Sequence, residues 1–598
     1  MSIAFRSSCR KNARQKEESI VDANNLGAFY KHVNRQIRHR DTIEALVNSA
    51  GEPVTSDRQE ADMFNKYFVS VCTRDNGAQP KCSITEPTSV LETVTFTQRD
   101  VLFAINKLKS NLSGGPDGLP PLLFKRLKDS LAYPLALMFT QLFSVGVIPD
   151  EWKNAIITPV FKKGLAGTVS NYQPISLTCV TSKLMERIIS AAIYNHLLGN
   201  ALLSCTQHGF VKGKSTCTNL LEALNDWTLA VQDRHGVCVA YIDFSKAFDT
   251  VSHEKLFRCL YSYGIRGDLL RWIKNFFTDR TQQTKVGMAL SELISLLSGI
   301  IQGSSIGPVL FLMFIDSLAK LLEYHGITAK LFADDVKVYM IIKNDLDVAK
   351  LQVALDLIAD WANDWQLSVS VAKCSVLKIG CSTTVNTDFR LAGNVLPNVT
   401  YCRDLGVIIT SDLSPTQYIT EIVSKAHQRA NCILRSFTSG DIGLLLRAFI
   451  VYVRPIVEYN SIIWSPVTKH DIELVEKVQR RFTKRLRGFH NMSYCDRLTK
   501  LGLHALQLRR LHFDLLFCYK IVFGLVNVNF RDFFEFSITN TRGHKYKLFK
   551  PRCTSSLRQK FFVDRVVNVW NALPSTVNFS TLAAFRNSID KVDFSTFL

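Results

Sequence analysis

Apolar and polar positions are most regular between about 150 and 410. There "AIITPVFKKG" reads as a strand that runs into a basic tip, and "VCVAYIDFSKAFDTV" as a β-rich run from Val237 to Ile242 that stops at Asp243. "KLFADDVKVYM" reads as a hairpin with its turn near Asp334 and Asp335, and "DLGVIIT" as a further short strand. "GGPDGLPPLLFKRL" is a turn followed by a helix that has Pro120 and Pro121 at its first positions. The stretch from 1 to about 90 is polar and charged, with short helical patterns at "LGAFYKHVNRQI" and "EADMFNKYFVSV". "GAQPKCSITEPTS" reads as a linker. After about 415 the spacing becomes helical to about 525, and the last 70 or so residues show no single period.

One helical stretch is strongly two-sided. In "LVEKVQRRFTKRLRG", Val475, Val478, Phe482 and Leu486 make an apolar stripe. Lys477, Arg481 and Arg485 fall four apart on another face, with Arg480, Lys484 and Arg487 beside them. A solvated charged face is the usual reading of such a pattern. Six basic residues against the single acid Glu476 favour a surface that follows a phosphate backbone without reading sequence.

Composition widens this picture. A chain of 598 residues, 47% of them hydrophobic, is long enough for several domains with real cores. The formal net charge is +20, from 72 Lys and Arg against 52 Asp and Glu, which points to a polyanionic partner, nucleic acid before membrane. The 15 cysteines are scattered without a CxxC pair, so they are expected as free thiols in a reducing compartment, without a zinc site. The start has no apolar stretch of the signal-peptide kind, and the long apolar runs are broken by Gly, Gln or Pro.

The chemistry lies in the acidic pair. A buried carboxylate is costly, and two side by side also repel each other. If the run ending at Asp243 neighbours the hairpin carrying Asp334 and Asp335, three carboxylates meet at one sheet edge. Divalent cations would neutralise them, and a pair of Mg²⁺ ions suits phosphoryl or nucleotidyl transfer. An isolated Asp-Asp is more often just an acidic turn.

The ordered set of motifs decides between these. "YIDFSKAFDTVSH", "SGIIQGSSIGPVLFLMFIDSL", "LFADDVKVY", "WQLSVSVAKCSVLKIG" and "YCRDLGVIIT" follow one another in the chain. "GPDGLPPLLFK", "IITPVFKKG", "NYQPISLTCVTSKLMERII" and "QHGFVKGKSTCTNLL" precede them, and "YVRPIVEYNSIIW" follows. This resembles the reverse transcriptase of non-LTR, LINE-type retrotransposons of the jockey-like group, over almost the whole chain. The resemblance implies an α/β (α+β) right-hand polymerase: fingers and palm with an antiparallel sheet, then a helical thumb. The corresponding spans are a connector at 1–90, fingers and palm at 91–410, a thumb at 411–525 and a C-terminal segment at 526–598. It implies RNA-directed DNA synthesis by target-primed reverse transcription, with two Mg²⁺ ions (Mn²⁺ as the alternative), an RNA template, a DNA primer or target, and dNTPs. No endonuclease or RNase H domain is expected in this chain. The setting implied is the nucleus after cytoplasmic synthesis, neither secreted nor in a membrane.

Roles follow position by position. Asp243 and Asp334 resemble the metal-bridging carboxylates, with Asp335 supporting and the Phe244 backbone near the metal and triphosphate. Phe248 resembles the ring that excludes a 2′-hydroxyl, though a core aromatic fits its spacing equally. Gln302 and Gly303 resemble the loop over the incoming nucleotide, and Lys162, Lys163 and Gln173 the fingers residues at its phosphates. Lys373 resembles a lysine that protonates the pyrophosphate leaving group, against the plainer reading of a solvated strand-end lysine. Lys477, Arg480, Arg481, Lys484, Arg485 and Arg487 would line the thumb helix. The chain departs from the family at Gln173 and Val211, where arginine is usual, at Ile301, where proline is usual, and at "FIDSL" in place of "FINDL". Glutamine keeps hydrogen bonding but lacks the charged fork. These departures motivate a second reading, a catalytically weak nucleic-acid-binding protein derived from such an element. An RNA-dependent RNA polymerase is disfavoured by Phe248 and Ala333, and an intron maturase by the lack of a maturase region.

Overall fold

The run Gly236–Ile242 is apolar throughout because both of its faces are covered. Cys238, Ala240 and Ile242 enter one core, and Val237 and Val239 enter another, the period-2 alternation of a strand between two layers. It is the middle of a five-stranded sheet ordered Asn398–Val399, Ser375–Ile379, Gly236–Ile242, Asp335–Ile342, Thr328–Phe332. All its pairings are antiparallel except that of the short edge strand Asn398–Val399. The computed structural model describes residues 3–36, 46–47, 52–81, 89–110, 114–380, 388–538 and 543–598.

A second sheet is built on Asn154–Phe161, antiparallel to Tyr172–Leu177 and parallel to Thr281–Val286. It is therefore mixed, where an antiparallel sheet alone was expected. The hairpin Asn154–Leu177 carries the basic tip read in "FKKG".

Among the described residues three cores hold these layers. The largest covers one face of the five-stranded sheet and is dominated by the helix Gly307–Tyr324, whose residues 309–315 are all fully buried. "FIDSL" lies in this helix. Asp316 is fully buried, accepts the Ser204 N–H at 2.9 Å and the Tyr263 hydroxyl at 2.5 Å, and lies 3.3 Å from Lys320 Nζ. The departure from the family pattern is thus a satisfied core acid. The second core lies on the opposite sheet face and is helical. It takes in the stripe Val475, Val478, Phe482 and Leu486, and also Phe562, Val566, Trp570 and Phe585. Residues 526–598, without a clear period in the sequence, thus complete the same helical core through Phe562–Asn571 and Leu582–Ile589.

The N-terminal stretch is bound to both halves. Phe29, in Leu26–Gln36, stacks on Tyr452 with centroids 4.4 Å apart, and Glu17 accepts the Thr438 N–H at 2.7 Å. The helix Asp57–Ser70 lays Phe64 and Phe68 on Ala155 and Ile157 of the second sheet, in a small third core. The start of the stretch read as a linker is docked as well. Lys255 Nζ donates to Asn76 Oδ1 and the Ala78 carbonyl, and Gln366 Oε1 accepts the Asn76 N–H at 3.1 Å. Turn-rich composition and a docked strap look alike in sequence, because the polar partners lie some 180 to 290 residues away. Residues 82–88 of that stretch lie outside the described residues. Among the described residues no helix is long and apolar enough to cross a membrane.

Candidate active site

Asp243 follows the last residue of the central strand. Ile242 pairs with Val336, so Asp243 stands one step further on, level with the Asp335 end of the hairpin. The hairpin turns at Ala333 and Asp334, and Ala333 has the left-handed φ of 56°. Its N–H donates to Gln207 Oε1 at 3.1 Å, and the same oxygen accepts the Gly209 N–H at 2.7 Å. A Cβ on Gly209 would lie 2.3 Å from the Ala333 nitrogen, so "QHGF" needs glycine there to let the two backbones meet. Asn219 Nδ2 donates to the Leu331 carbonyl at 3.1 Å and holds the same hairpin from the helix Thr216–Gln232. Asp334 sits on a turn buttressed from behind, and Asp335 is the first residue of the strand that leaves it.

Their electrostatics are those of an under-compensated cluster. Burial pushes the Asp334 carboxyl up; the Asp243 charge adds to this, and Lys162 and Lys373 oppose it. Asp335 stands at the mouth of the cleft, and its carboxyl is pushed up to about 6. The enclosing protein contributes most, then the charges of Asp334, Asp243 and Asp404. Lys373 Nζ donates to Asp243 Oδ1 at 3.2 Å. Backbone bonds from Ser370 N–H to the Asp243 carbonyl and from Ser245 N–H to the Ser368 carbonyl, each 2.8 Å, flank Phe244 and leave its carbonyl out of that pairing. The Phe244 ring is buried against Trp361, with centroids 6.0 Å apart. Among the described residues no three His, Cys, Asp or Glu side chains are gathered into a ready chelating cage. The donor set of two mutually repelling carboxylates and a nearby main-chain carbonyl still fits Mg²⁺. That ion is usually held by one or two carboxylates together with substrate phosphates.

The other expected residues divide. Lys162 and Lys163 are exposed at the tip of the hairpin Asn154–Leu177, and the Lys162 charge acts on Asp334. Gln173 Nε2 donates to Gln302 Oε1 at 2.6 Å, and Gln302 Nε2 donates to Asp249 Oδ1 at 2.7 Å. This relay joins the second sheet to the loop before Gly307–Tyr324. The Ser176 N–H donates to the Gln302 carbonyl at 2.8 Å. Gly303 has φ +114°, and a Cβ there would lie 2.5 Å from the Ser176 carbonyl oxygen. Phe248 is half-buried and stacked on Phe311, centroids 4.1 Å apart and planes 14° apart.

A sequence model described as reverse transcriptase (RNA-dependent DNA polymerase) matches residues 160–409, the span that contains this site. The chain is similar to the probable RNA-directed DNA polymerase from transposon BS of Drosophila melanogaster, 26% identical over 404 residues. That match covers 64% of this chain and 43% of the relative. It is also similar to the RNA-directed DNA polymerases from mobile element jockey of Drosophila melanogaster and Drosophila funebris. These are 25% identical over 413 residues and 23% identical over 464, covering 66% and 74% of this chain and 44% and 50% of the relatives. The chain spans about half the length of these curated relatives, and the likeness is to the jockey-like, non-LTR group.

Beyond the reverse transcriptase match lies the basic helix Lys469–Lys484. Its apolar stripe is buried as the spacing predicts, and Lys477, Arg481, Lys484, Arg485 and Arg487 are exposed. Arg480 is only half-exposed; it pairs with Glu473 at 2.8 Å and lies over the Tyr494 ring. Glu476 does not dilute the cationic face: it is buried and accepts the N–H groups of Leu506 and Gln507 at the start of the helix Leu506–Val522.

Three polar residues at this site escaped the sequence reading. Asp404 pairs with buried Lys337 at 2.6 Å beside a cavity of about 120 Å³ that Asp243, Asp335 and Lys373 also line. Its signal was its place in "YCRDLGVIIT". Asp249, the end of the glutamine relay, and Gln207, behind the turn, sit inside quoted motifs too. Nothing in local spacing distinguishes them from surface polar residues.

Proposed function

We propose that this chain is an RNA-directed DNA polymerase of the jockey-like, non-LTR type. It would extend a DNA 3′ end on an RNA template with dNTPs, priming on nicked nuclear DNA. The observation that carries this is the meeting of Asp243 and Asp334 at one sheet end, flanked by Lys373 and Lys162. In this reading the five-stranded sheet is the palm, the hairpin Asn154–Leu177 belongs to the fingers, and the helices after about 411 form the thumb.

Asp243, Asp334 and the Phe244 carbonyl would hold two Mg²⁺ ions, with Asp335 supporting. The ions supply charge stabilisation for the phosphoryl oxygens and a lower pKa for the attacking 3′-hydroxyl. The chain's own residues do the rest. Lys373, paired with Asp243 at 3.2 Å, would give a proton to departing pyrophosphate. Gln302 and Gly303 would form the loop that closes on the incoming nucleotide, with Gly303 admitting close backbone approach. Lys477, Arg481, Lys484, Arg485 and Arg487 follow template–primer phosphates. Arg480, already paired, is the weakest contributor.

Primer extension on an RNA template with Mg²⁺ and dNTPs tests the proposal, with the protein as it stands, Gln173→Arg and Asp334→Asn side by side. Extension by the first and none by the third is the expected result. Gln173→Arg should strengthen dNTP use by about ten- to a hundredfold, the worth of a charged hydrogen bond. A second reading, a nucleic-acid-binding protein without useful catalysis, draws on Gln173, whose amide is committed to Gln302 where the family has a charge. RNA binding with silence in all three proteins would establish it.

Phe248 gives a separate test. Its ring is fixed flat on Phe311, so it can present an edge to a sugar without rotating. Phe248→Ala should raise rNTP incorporation relative to dNTP by at least about tenfold, read as the ratio of the two kcat/KM values. An unchanged ratio with lower thermal stability would leave it a core aromatic only.

A further inference from the structure

We propose that Lys246, braced by Tyr67 from the helix Asp57–Ser70, is a further triphosphate-binding residue and supplies the charge that position 173 lacks. This rests on the proposed polymerase reading and deepens it.

Lys246 stands three residues after Asp243, where the chain leaves the central strand, and is left-handed at φ 49° and ψ 42°. Non-glycine residues hold that conformation at a cost in backbone energy. Its stem is half-buried, and its ammonium lies over the Tyr67 ring, 5.3 Å from the centroid. The charges of Lys162 and Lys373 both act on it. The charges of Lys162, at the hairpin tip, and Lys373, in the turn before Ser375–Ile379, thus reach Lys246 from two separate elements. Lys373 has Asp243 at 3.2 Å, but among the described residues no carboxylate lies within 4.0 Å of Lys246 or Lys162 Nζ. The nearest compensation for Lys246 is Asp249, which already accepts the Gln302 amide.

Converging like charges raise the energy of the free protein. A polyanion of triphosphate size removes the repulsion. The family position that normally carries a guanidinium holds Gln173, whose amide instead orients Gln302. Among the described residues Lys246, like Lys162, has no carboxylate within 4.0 Å, and it is the one of the two carried by the Asp243 strand end. Tyr67, on the helix that packs on the second sheet, puts its ring under the ammonium.

The test uses the full chain bound to an RNA–DNA primer–template. Two readouts are taken: KM for dNTP in extension, and the Kd of inorganic tripolyphosphate, which has charge but neither sugar nor base. Lys246→Ala and Lys246→Gln should each raise both by about ten- to a hundredfold. Primer–template affinity should stay within about twofold and kcat within about threefold. Lys246→Arg should stay near the parent, which separates lost charge from misfolding. Adding Gln173→Arg to Lys246→Ala should recover most of the loss. KM and Kd within twofold of the parent in Lys246→Ala would overturn the proposal. So would equal weakening of primer–template binding, or a parent that binds no tripolyphosphate. A parent that binds tripolyphosphate through Lys246 yet extends no primer would refute the polymerase reading and leave this site standing.

Discussion

Asp334→Asn is expected to bind an RNA–DNA primer–template as tightly as the parent and to add essentially no nucleotide. The substitution keeps the shape of a side chain held on a turn that Gln207 and Asn219 fix from behind. What it removes is the charge. That charge is costly in the free protein, since burial and the neighbouring Asp243 both push the Asp334 carboxyl up. Asparagine relieves this, so thermal stability should hold or rise slightly. Catalysis should fall by on the order of 10³-fold or more, because a metal ligand is worth several kcal/mol of transition-state charge stabilisation. Extension rate, filter binding and a melting curve on the same preparation check the three statements. Parallel loss of binding, stability and synthesis would make Asp334 a structural residue.

Asp404→Ala should show the largest effect on stability. Lys337 is 3% exposed, and its ammonium has Asp404 at 2.6 Å. Removing one member of such a pair leaves a buried charge and costs about 3–5 kcal/mol, read by urea denaturation. The pair joins the hairpin Tyr401–Thr410 to Asp335–Ile342, so the loss should also loosen the site from below. The pH dependence has a definite sign. Burial lowers the Lys337 pKa even with Asp404 present. Without Asp404 it falls further, and the unfolded chain then binds more protons than the folded one. Stability of Asp404→Ala should therefore rise with pH, up to the ordinary lysine range. Adding Lys337→Met should restore much of the loss at neutral pH. A cost below about 1 kcal/mol, flat with pH, would show that water already screens the pair.

Much of the fold was legible because its signals are local. The doubly apolar run Gly236–Ile242, the hairpin around Asp334 and the stripe Val475–Val478–Phe482 follow from periods of 2.0 and 3.6 that each segment states by itself. The order of motifs likewise picked out Asp243 and Asp334. The reading was weakest where an element borrows its surroundings. The stretch 77–81 looks like a linker and is a strap on 254–258. Glu476 looks like a stray acid on a cationic face and is a buried helix cap.

The sequence by itself thus determined many of the strands and helices, and which acids the fold brings to one sheet end. Only the tertiary structure decided that Lys337 meets Asp404, that Gln173 reaches Asp249 through Gln302, and that Tyr67 lies under Lys246. The reason is physical. Periodicity is a property of one segment, whereas a polar contact depends on the sheet register, the left-handed turns and the docking of three cores, which bring together residues far apart in the chain.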